Sequence, residues 1–109
     1  MRIFKSQIAD PPLPQTSLFQ YVFPQAPGDS PLTPPPRDAP AFIDGLNGKV
    51  LTRGELEDSA LRLAGGLAAR GIGRGQTALL IGPNSLSWII AAFGLQAGGI
   101  CVSPANTAL

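Results

Sequence analysis

The residue types that could carry chemistry fall at five places. Gly71-Ile72-Gly73-Arg74-Gly75 is glycine-rich in the manner of a loop that cradles a pyrophosphate. Such a loop leaves a strand and opens a helix, so that bare backbone and a helix N-terminus meet the anion together. Here the order is reversed, with a helix before and a strand after, and the segment reads as a turn. Gly82-Pro83-Asn84-Ser85 has the proper order. An anion could bind there, but Pro83 has no N–H to offer, and a helix cap from Asn84 or Ser85 explains the same residues more simply. Ser85, Ser87 and Ser103 have no histidine to act as base and no Gly-x-Ser-x-Gly elbow, so none reads as a nucleophile. Cys101 lies in an apolar run and reads as a small buried hydrophobe. Pro11-Pro12-Leu13-Pro14 and Pro31-Leu32-Thr33-Pro34 have the spacing a polyproline-binding partner takes. Neither has a flanking basic residue to fix its orientation, and a proline-dense segment produces the spacing by chance.

Counting removes further classes. The chain has 109 residues, no histidine and one cysteine. Ser-His and Cys-His dyads, an internal disulfide and a cysteine-rich zinc site are therefore excluded. Lys plus Arg number 8 and Asp plus Glu 7, a net charge of +1, which gives no electrostatic reason for nucleic acid or an anionic membrane as partner. Every one of these charges lies between Arg2 and Arg74, and residues 76–109 carry none. An uncharged tract of that length is covered by something else or sits in lipid. Residues 86–103 reach the about 18 residues of a span. Pro83 and Asn84 just upstream, Gln96 inside, Gly98-Gly99 and the absence of a following Lys or Arg argue against one. The N-terminus has Arg2 and Lys5 but no apolar core before Pro11-Pro12, so it is not a secretory signal. An intracellular protein is expected.

The elements that would hold these residues are marked by proline and glycine. Residues 1–40 contain all but two of the 12 prolines and read as an extended arm. Within it, Ser17 precedes Leu18-Phe19-Gln20-Tyr21-Val22-Phe23, a capped short helix near 17–23 that stops at Pro24 and docks on a larger body. Residues 41–109 form a second region. Ala41-Phe42-Ile43-Asp44 and Lys49-Val50-Leu51-Thr52 flank Gly45-Leu46-Asn47-Gly48, a hairpin with a four-residue turn. Thr52-Arg53-Gly54-Glu55 is a capping box that opens an amphipathic helix over 53–70. Its apolar stripe is Leu56, Ala60, Leu63, Ala64 and Leu67, with Asp58 and Arg62 as an i,i+4 pair and Gly71 as the stop. Thr77-Ala78-Leu79-Leu80-Ile81 lacks alternation and predicts a strand covered on both faces. A helix over 86–97, apolar almost all round, and a strand over Ile100-Cys101-Val102-Ser103 complete a buried strand–helix–strand unit with parallel pairing.

Two such strands and an all-round apolar helix cannot be satisfied within 109 residues. The expectation is an α/β fold that is the opening portion of a larger domain, with exposed apolar surface and poor solubility.

Leu51-Thr52-Arg53-Gly54-Glu55-Leu56, the Gly71 to Ile81 stretch, Pro83-Asn84-Ser85 and Leu95-Gln96-Ala97-Gly98-Gly99 running to Pro104-Ala105-Asn106 occur in a characteristic order. They resemble the first two conserved segments of the AMP-dependent synthetase/ligase (AMP-binding, adenylation) family of acyl- and aryl-CoA synthetases, with a fungal flavour. The likeness covers 41–109, and 17–23 looks like the leader helix of 4-coumarate–CoA ligase-like members. The resemblance implies the incomplete N-terminal portion of an adenylation-domain fold: leader arm, hairpin, amphipathic helix and buried strand–helix–strand. It implies a parent that activates a carboxylic acid with Mg-ATP to an acyl-adenylate and passes the acyl group to coenzyme A. The family's phosphate loop, acid pocket, ribose-binding Asp and C-terminal catalytic Lys have no counterpart here, so no catalytic, cofactor-binding or metal-binding residue is carried over. The fragment is expected to bind neither cofactor by itself and to be inactive, in the cytoplasm or peroxisome. Thr107-Ala108-Leu109 is not a peroxisomal tripeptide. A non-catalytic truncated isoform or an interaction module using the proline-rich arm is the alternative.

Overall fold

The structure, a computed structural model, describes residues 1–108. Leu109, and with it the end of the C-terminal tripeptide, lies outside the described residues. Along the proline-dense segment the chain is extended or turning except for helix α1 (Leu18–Val22). The Ser17 hydroxyl accepts from the Gln20 N–H, and the Gln20 side-chain oxygen accepts from the Ser17 N–H in return. This reciprocal cap holds a helix of only five residues that could not persist by propensity alone. Its docking supplies the rest. Phe19 and Phe23 are 3% exposed and share a core with Leu51, Leu56 and Ala60.

Strands β1 (Pro40–Ile43) and β2 (Val50–Thr52) pair antiparallel, with a register irregularity between Pro40 and Phe42. The Asp44 N–H donates to Lys49 O and closes the four-residue turn. Gly48 takes φ +73° there, a left-handed conformation that favours glycine. Helix α2 (Arg53–Ala69) begins immediately after β2, with Thr52 and Glu55 in the reciprocal capping box. It ends at Gly71, φ +78°, where Ile72 N–H reaches Leu67 O and Gly71 N–H reaches Ala68 O. That is a Schellman closure of the last carbonyls. Leu56 and Ala60 are buried on the predicted stripe, while Leu63, Ala64 and Leu67 are half-buried.

The predicted Asp58–Arg62 pair is not formed. Asp58 instead takes Arg37 from the proline-rich segment at 2.8 Å, and Glu57 takes the same guanidinium at 2.9 Å. A third guanidinium contact, to Gly54 O, makes Arg37 a clasp over the first turn of α2. The hydrogen bond and charge of Asp58, with Glu57 adding, hold Arg37 above its ordinary value. An i,i+4 pair on an exposed helix face contributes only a few tenths of a kcal/mol, about 0.3–0.5, so a partner offering a fork displaces it.

Strand β3 (Thr77–Ile81), helix α3 (Leu86–Ala97) and strand β4 (Cys101–Ala105) follow as a parallel strand–helix–strand unit. The second strand continues through Pro104, which stands opposite Leu80 in register. The C-terminal joint of α3 repeats that of α2. Gly99 has φ +73°, Ile100 N–H reaches Leu95 O, and the two apolar side chains, 3% and 8% exposed, are both buried. Helices α2 and α3 pack closely because Gly94 has no side chain. A Cβ there would lie 2.6 Å from Leu63 Cδ2.

Two burial expectations are corrected. In β3, Leu79 and Ile81 are exposed at 65% and 56%, and Cys101 in β4 is exposed rather than buried. Among the described residues α3 is the helix packed along both β3 and β4, and on parallel strands in register Thr77, Leu79, Ile81, Cys101 and Ser103 share the other, open face. For the same reason α3 is half-buried along most of its length, with only Gly94 and Leu95 fully covered. Among the described residues no helix is long and apolar enough to cross a membrane.

Candidate functional site

A hollow of about 410 Å³ opens where β3 and β4 end. One wall is Gly82, Pro83 and Asn84, between β3 and α3; the other is Pro104 to Thr107 at the end of β4 and beyond, with Trp88 between them. Parallel pairing puts both strand ends on one side, so two loops remote in sequence face each other. Ser85 caps α3 by accepting from the Trp88 N–H at 3.1 Å, which fixes the first turn of the helix that carries the indole. The indole lies against Gly82, where a Cβ would stand 3.4 Å from Trp88 Cδ1, at van der Waals contact.

The chemistry of the hollow is neutral. None of its lining side chains ionises, its polar side-chain groups being the amides of Asn84 and Asn106, the Thr107 hydroxyl and the Trp88 indole N–H. A phosphate placed there would meet no cation. The Trp88 N–H at the start of α3 is already taken by Ser85, and Pro83 has no N–H. What the hollow can offer is an aromatic face with amide hydrogen bonding at the end of a parallel sheet.

The remaining candidates from the sequence have structural places. The glycines of 71–75 join α2 to β3: Gly71 closes the helix, the Gly73 N–H donates to Gln76 Oε1, and Gly75 has φ +88°. Its N–H points at Gly99 O in the joint between α3 and β4. Ser85 is the α3 cap, Ser87 is exposed on α3, and Ser103 is exposed on β4. The structure brings no base to any of them, and among the described residues no three His, Cys, Asp or Glu side chains form a group able to hold a metal. Of the two PxxP segments, residues 11–14 are exposed, whereas Leu32, Thr33 and Pro34 of the second line a small groove beside α1.

Two arginines stand out only in three dimensions. Arg37 is the clasp on Glu57 and Asp58. Arg53, the first residue of α2, lays its guanidinium over Phe23, 4.5 Å from the ring centroid, and donates from Nη2 to Val22 O. Phe23 in turn meets Phe93 edge-on at 5.8 Å, so the arginine caps an aromatic stack. Nothing in local sequence marks Arg53 beyond its place in the capping box, since its partners lie about thirty residues earlier in the chain.

Comparison with known proteins places this geometry. The AMP-binding enzyme family matches residues 32–109. A putative 4-coumarate–CoA ligase-like 8 of Oryza sativa subsp. japonica is 37% identical over 90 residues, 83% of this chain and 14% of its own length. The 4-coumarate–CoA ligase 5 of the same organism is 30% identical over 105 residues, 95% of this chain and 18% of its own. The chain thus spans less than a fifth of the length of these curated relatives. Among solved structures, a luciferase-like enzyme from the mealworm Zophobas morio superimposes over 100% of this chain and 24% of that one, TM-score 0.77 at 21% identity, a likeness of fold. A Mycobacterium tuberculosis fatty acyl CoA synthetase covers 64% of this chain and 14% of its own, TM-score 0.55 at 31% identity.

Proposed function

The chain belongs to the AMP-binding enzyme family, and we propose that it is the N-terminal scaffold of an AMP-forming acid–CoA ligase, inactive by itself. In the whole enzyme a carboxylate attacks ATP to give an acyl-adenylate and pyrophosphate. The thiol of coenzyme A then displaces AMP to give the thioester. This chain contributes no phosphate-binding cation or base to those steps. It provides the parallel β3–β4 pair, the α2–α3 layer behind it, and the neutral hollow at the strand ends.

The open sheet face carries the reading. Leu79 and Ile81, more than half exposed, alternate with side chains that face α3 on a strand whose composition suits burial on both faces. The kinship to 4-coumarate–CoA ligases and to a fatty acyl CoA synthetase supports a carboxylic acid as substrate of the whole enzyme, with 4-coumarate the first to try. A cytoplasmic or peroxisomal location is part of the same reading, and fractionation beside marker enzymes checks it.

ATP–pyrophosphate exchange tests the proposal. With 4-coumarate or a fatty acid the 109-residue chain alone gives no exchange above a boiled control. The same residues, joined in place of the matching stretch of rice 4-coumarate–CoA ligase 5, support exchange. Turnover by the chain alone would refute the scaffold reading, and a dead but folded chimera would count against the ligase assignment.

A further inference from the structure

Arg53 is half-buried, stacked on Phe23 and bonded to Val22 O, yet it has no carboxylate partner. Among the described residues the ion pairs belong to Arg37, which takes both Glu57 and Asp58. A guanidinium has five N–H donors, and this one spends a single donor on a carbonyl. It lines a groove of about 150 Å³ whose other wall is the proline-rich strap, including Ser30, Thr33 and Pro34. That is several times the about 30 Å³ of a water molecule. So a cation held in place by an aromatic ring lines the same small groove as two hydroxyl side chains, each followed by proline.

The two hydroxyls differ. Ser30 is half-buried, and its Oγ accepts from the Leu32 N–H at 3.2 Å. Thr33 is exposed, makes no side-chain hydrogen bond among the described residues, and lies in a stretch without helix or strand. Pro34 keeps Thr33 out of the helical region and in an extended conformation, the form in which a kinase reads its substrate. We propose that Thr33 is a phosphorylation site for a proline-directed kinase and that its phosphate is received by the guanidinium of Arg53.

In the transfer, Thr33 Oγ1 forms a bond to the γ-phosphorus of ATP and the bond to the β-bridging oxygen breaks. ADP leaves, and the hydroxyl proton passes to the base of the kinase. The product brings about −1.5 to −2 charges and three acceptor oxygens to the one side of the groove that faces an unpaired cation. A fork of N–H donors on phosphate ties the strap to the junction of α1 and α2. The acids on α2 are partly engaged elsewhere: Glu57 and Asp58 share the single positive charge of Arg37, and Glu55 accepts from the Thr52 N–H, so the direct contact with Arg53 has to outweigh the charge they keep. The strap would then be held at both ends, by the phosphate at Thr33 and by the clasp at Arg37. This inference stands on the groove alone and does not depend on ligase activity.

The test treats the 109-residue chain with a proline-directed serine/threonine kinase and MgATP, locates the phosphate by fragmentation mass spectrometry, and times trypsin cleavage after Arg37. One phosphate is expected on Thr33, and Thr33→Ala takes none. Cleavage of the phosphorylated chain is expected to be roughly tenfold slower. Arg53→Gln still accepts the phosphate but shows no slowing. Should Arg53→Gln fail to fold, a salt series on the phosphorylated wild type decides. Near 1 M NaCl, where the screening length is about 3 Å, the slowing disappears. Phosphate on Ser30 instead, unchanged or faster cleavage, or slowing that survives both Arg53→Gln and high salt would overturn the proposal.

Discussion

The two halves of the chain treat apolar side chains differently. Around α1, β2 and the first turns of α2, a small set closes on itself: Phe19, Phe23, Leu51, Leu56 and Ala60 are all at or below 6% exposure. In β3–α3–β4, where apolar residues are denser and charge is absent, Ile100 at 3% and Leu95 at 8% are the large side chains that are buried, while Leu79 and Ile81 stand open. Density of apolar residues therefore does not set burial. A partner layer does. The first region has its layer because the proline-rich segment folds back, anchored by Arg37 and Arg53, and the second has one only on the α3 side of its sheet.

The comparison breaks most sharply at Phe23. Its ring touches Phe19 and Phe93 and lies beneath the Arg53 guanidinium. Phe23→Ala removes the aromatic stack and leaves a cavity, at a cost of about 3–5 kcal/mol. Small domains hold only about 5–15 kcal/mol in total. Urea titration followed by circular dichroism should show the midpoint fall steeply or the transition vanish. A loss under about 1 kcal/mol would mean that the closed core is not closed.

A middle-sized effect sits at the seam between the halves. Gly94→Ala adds a methyl 2.6 Å from Leu63 Cδ2 and 2.9 Å from Leu63 Cβ. The Cβ cannot swing aside, so α2 and α3 must separate, an overpacking cost of about 1–3 kcal/mol. Alanine's helix propensity returns up to about 1 kcal/mol, and a net loss remains. Gly65→Ala in α2 is the control. Nothing lies within 4 Å of its added methyl, so the propensity gain of about 0.5–1 kcal/mol appears alone. Opposite shifts in melting temperature for the two variants would locate the helix–helix contact, and shifts of the same sign would dispute it.

Much of this fold is written locally. The caps at Ser17, Thr52 and Ser85, the glycine stops at Gly71 and Gly99, and the hairpin over 44–49 are short-range chemistry, and each lies where the residue types put it. What local pattern could not give is the choice among distant partners. Asp58 has a candidate four residues away in Arg62, yet it pairs with Arg37, twenty-one residues earlier. Cys101 reads as buried because its neighbours are apolar, and it is exposed because no second layer covers its face. The hollow at the strand ends was half legible. Residues 82–85 carry a loop signature, but the facing wall at Asn106 and Thr107 comes into place only through the parallel register of β3 and β4.

The smallest effect is also the one that tests the open face most directly. Leu79→Thr with Ile81→Thr exchanges two exposed apolar side chains for polar, β-branched ones of the kind a strand favours. If the face is bare in the isolated chain, the unfolding free energy changes by no more than about 0.5 kcal/mol. Binding of a dye such as ANS should fall, and so should self-association measured by light scattering, because contiguous apolar surface is what both report. If instead the double variant loses several kcal/mol, those side chains are covered in solution, and a second copy of the chain is the covering layer within reach. A dilution series separates the two, since stability lent by a second copy falls with protein concentration and stability intrinsic to one chain does not. On the scaffold reading, the same substitutions made in the full-length chimera destabilise it where the free chain is indifferent, because that reading puts a covering layer on the open face.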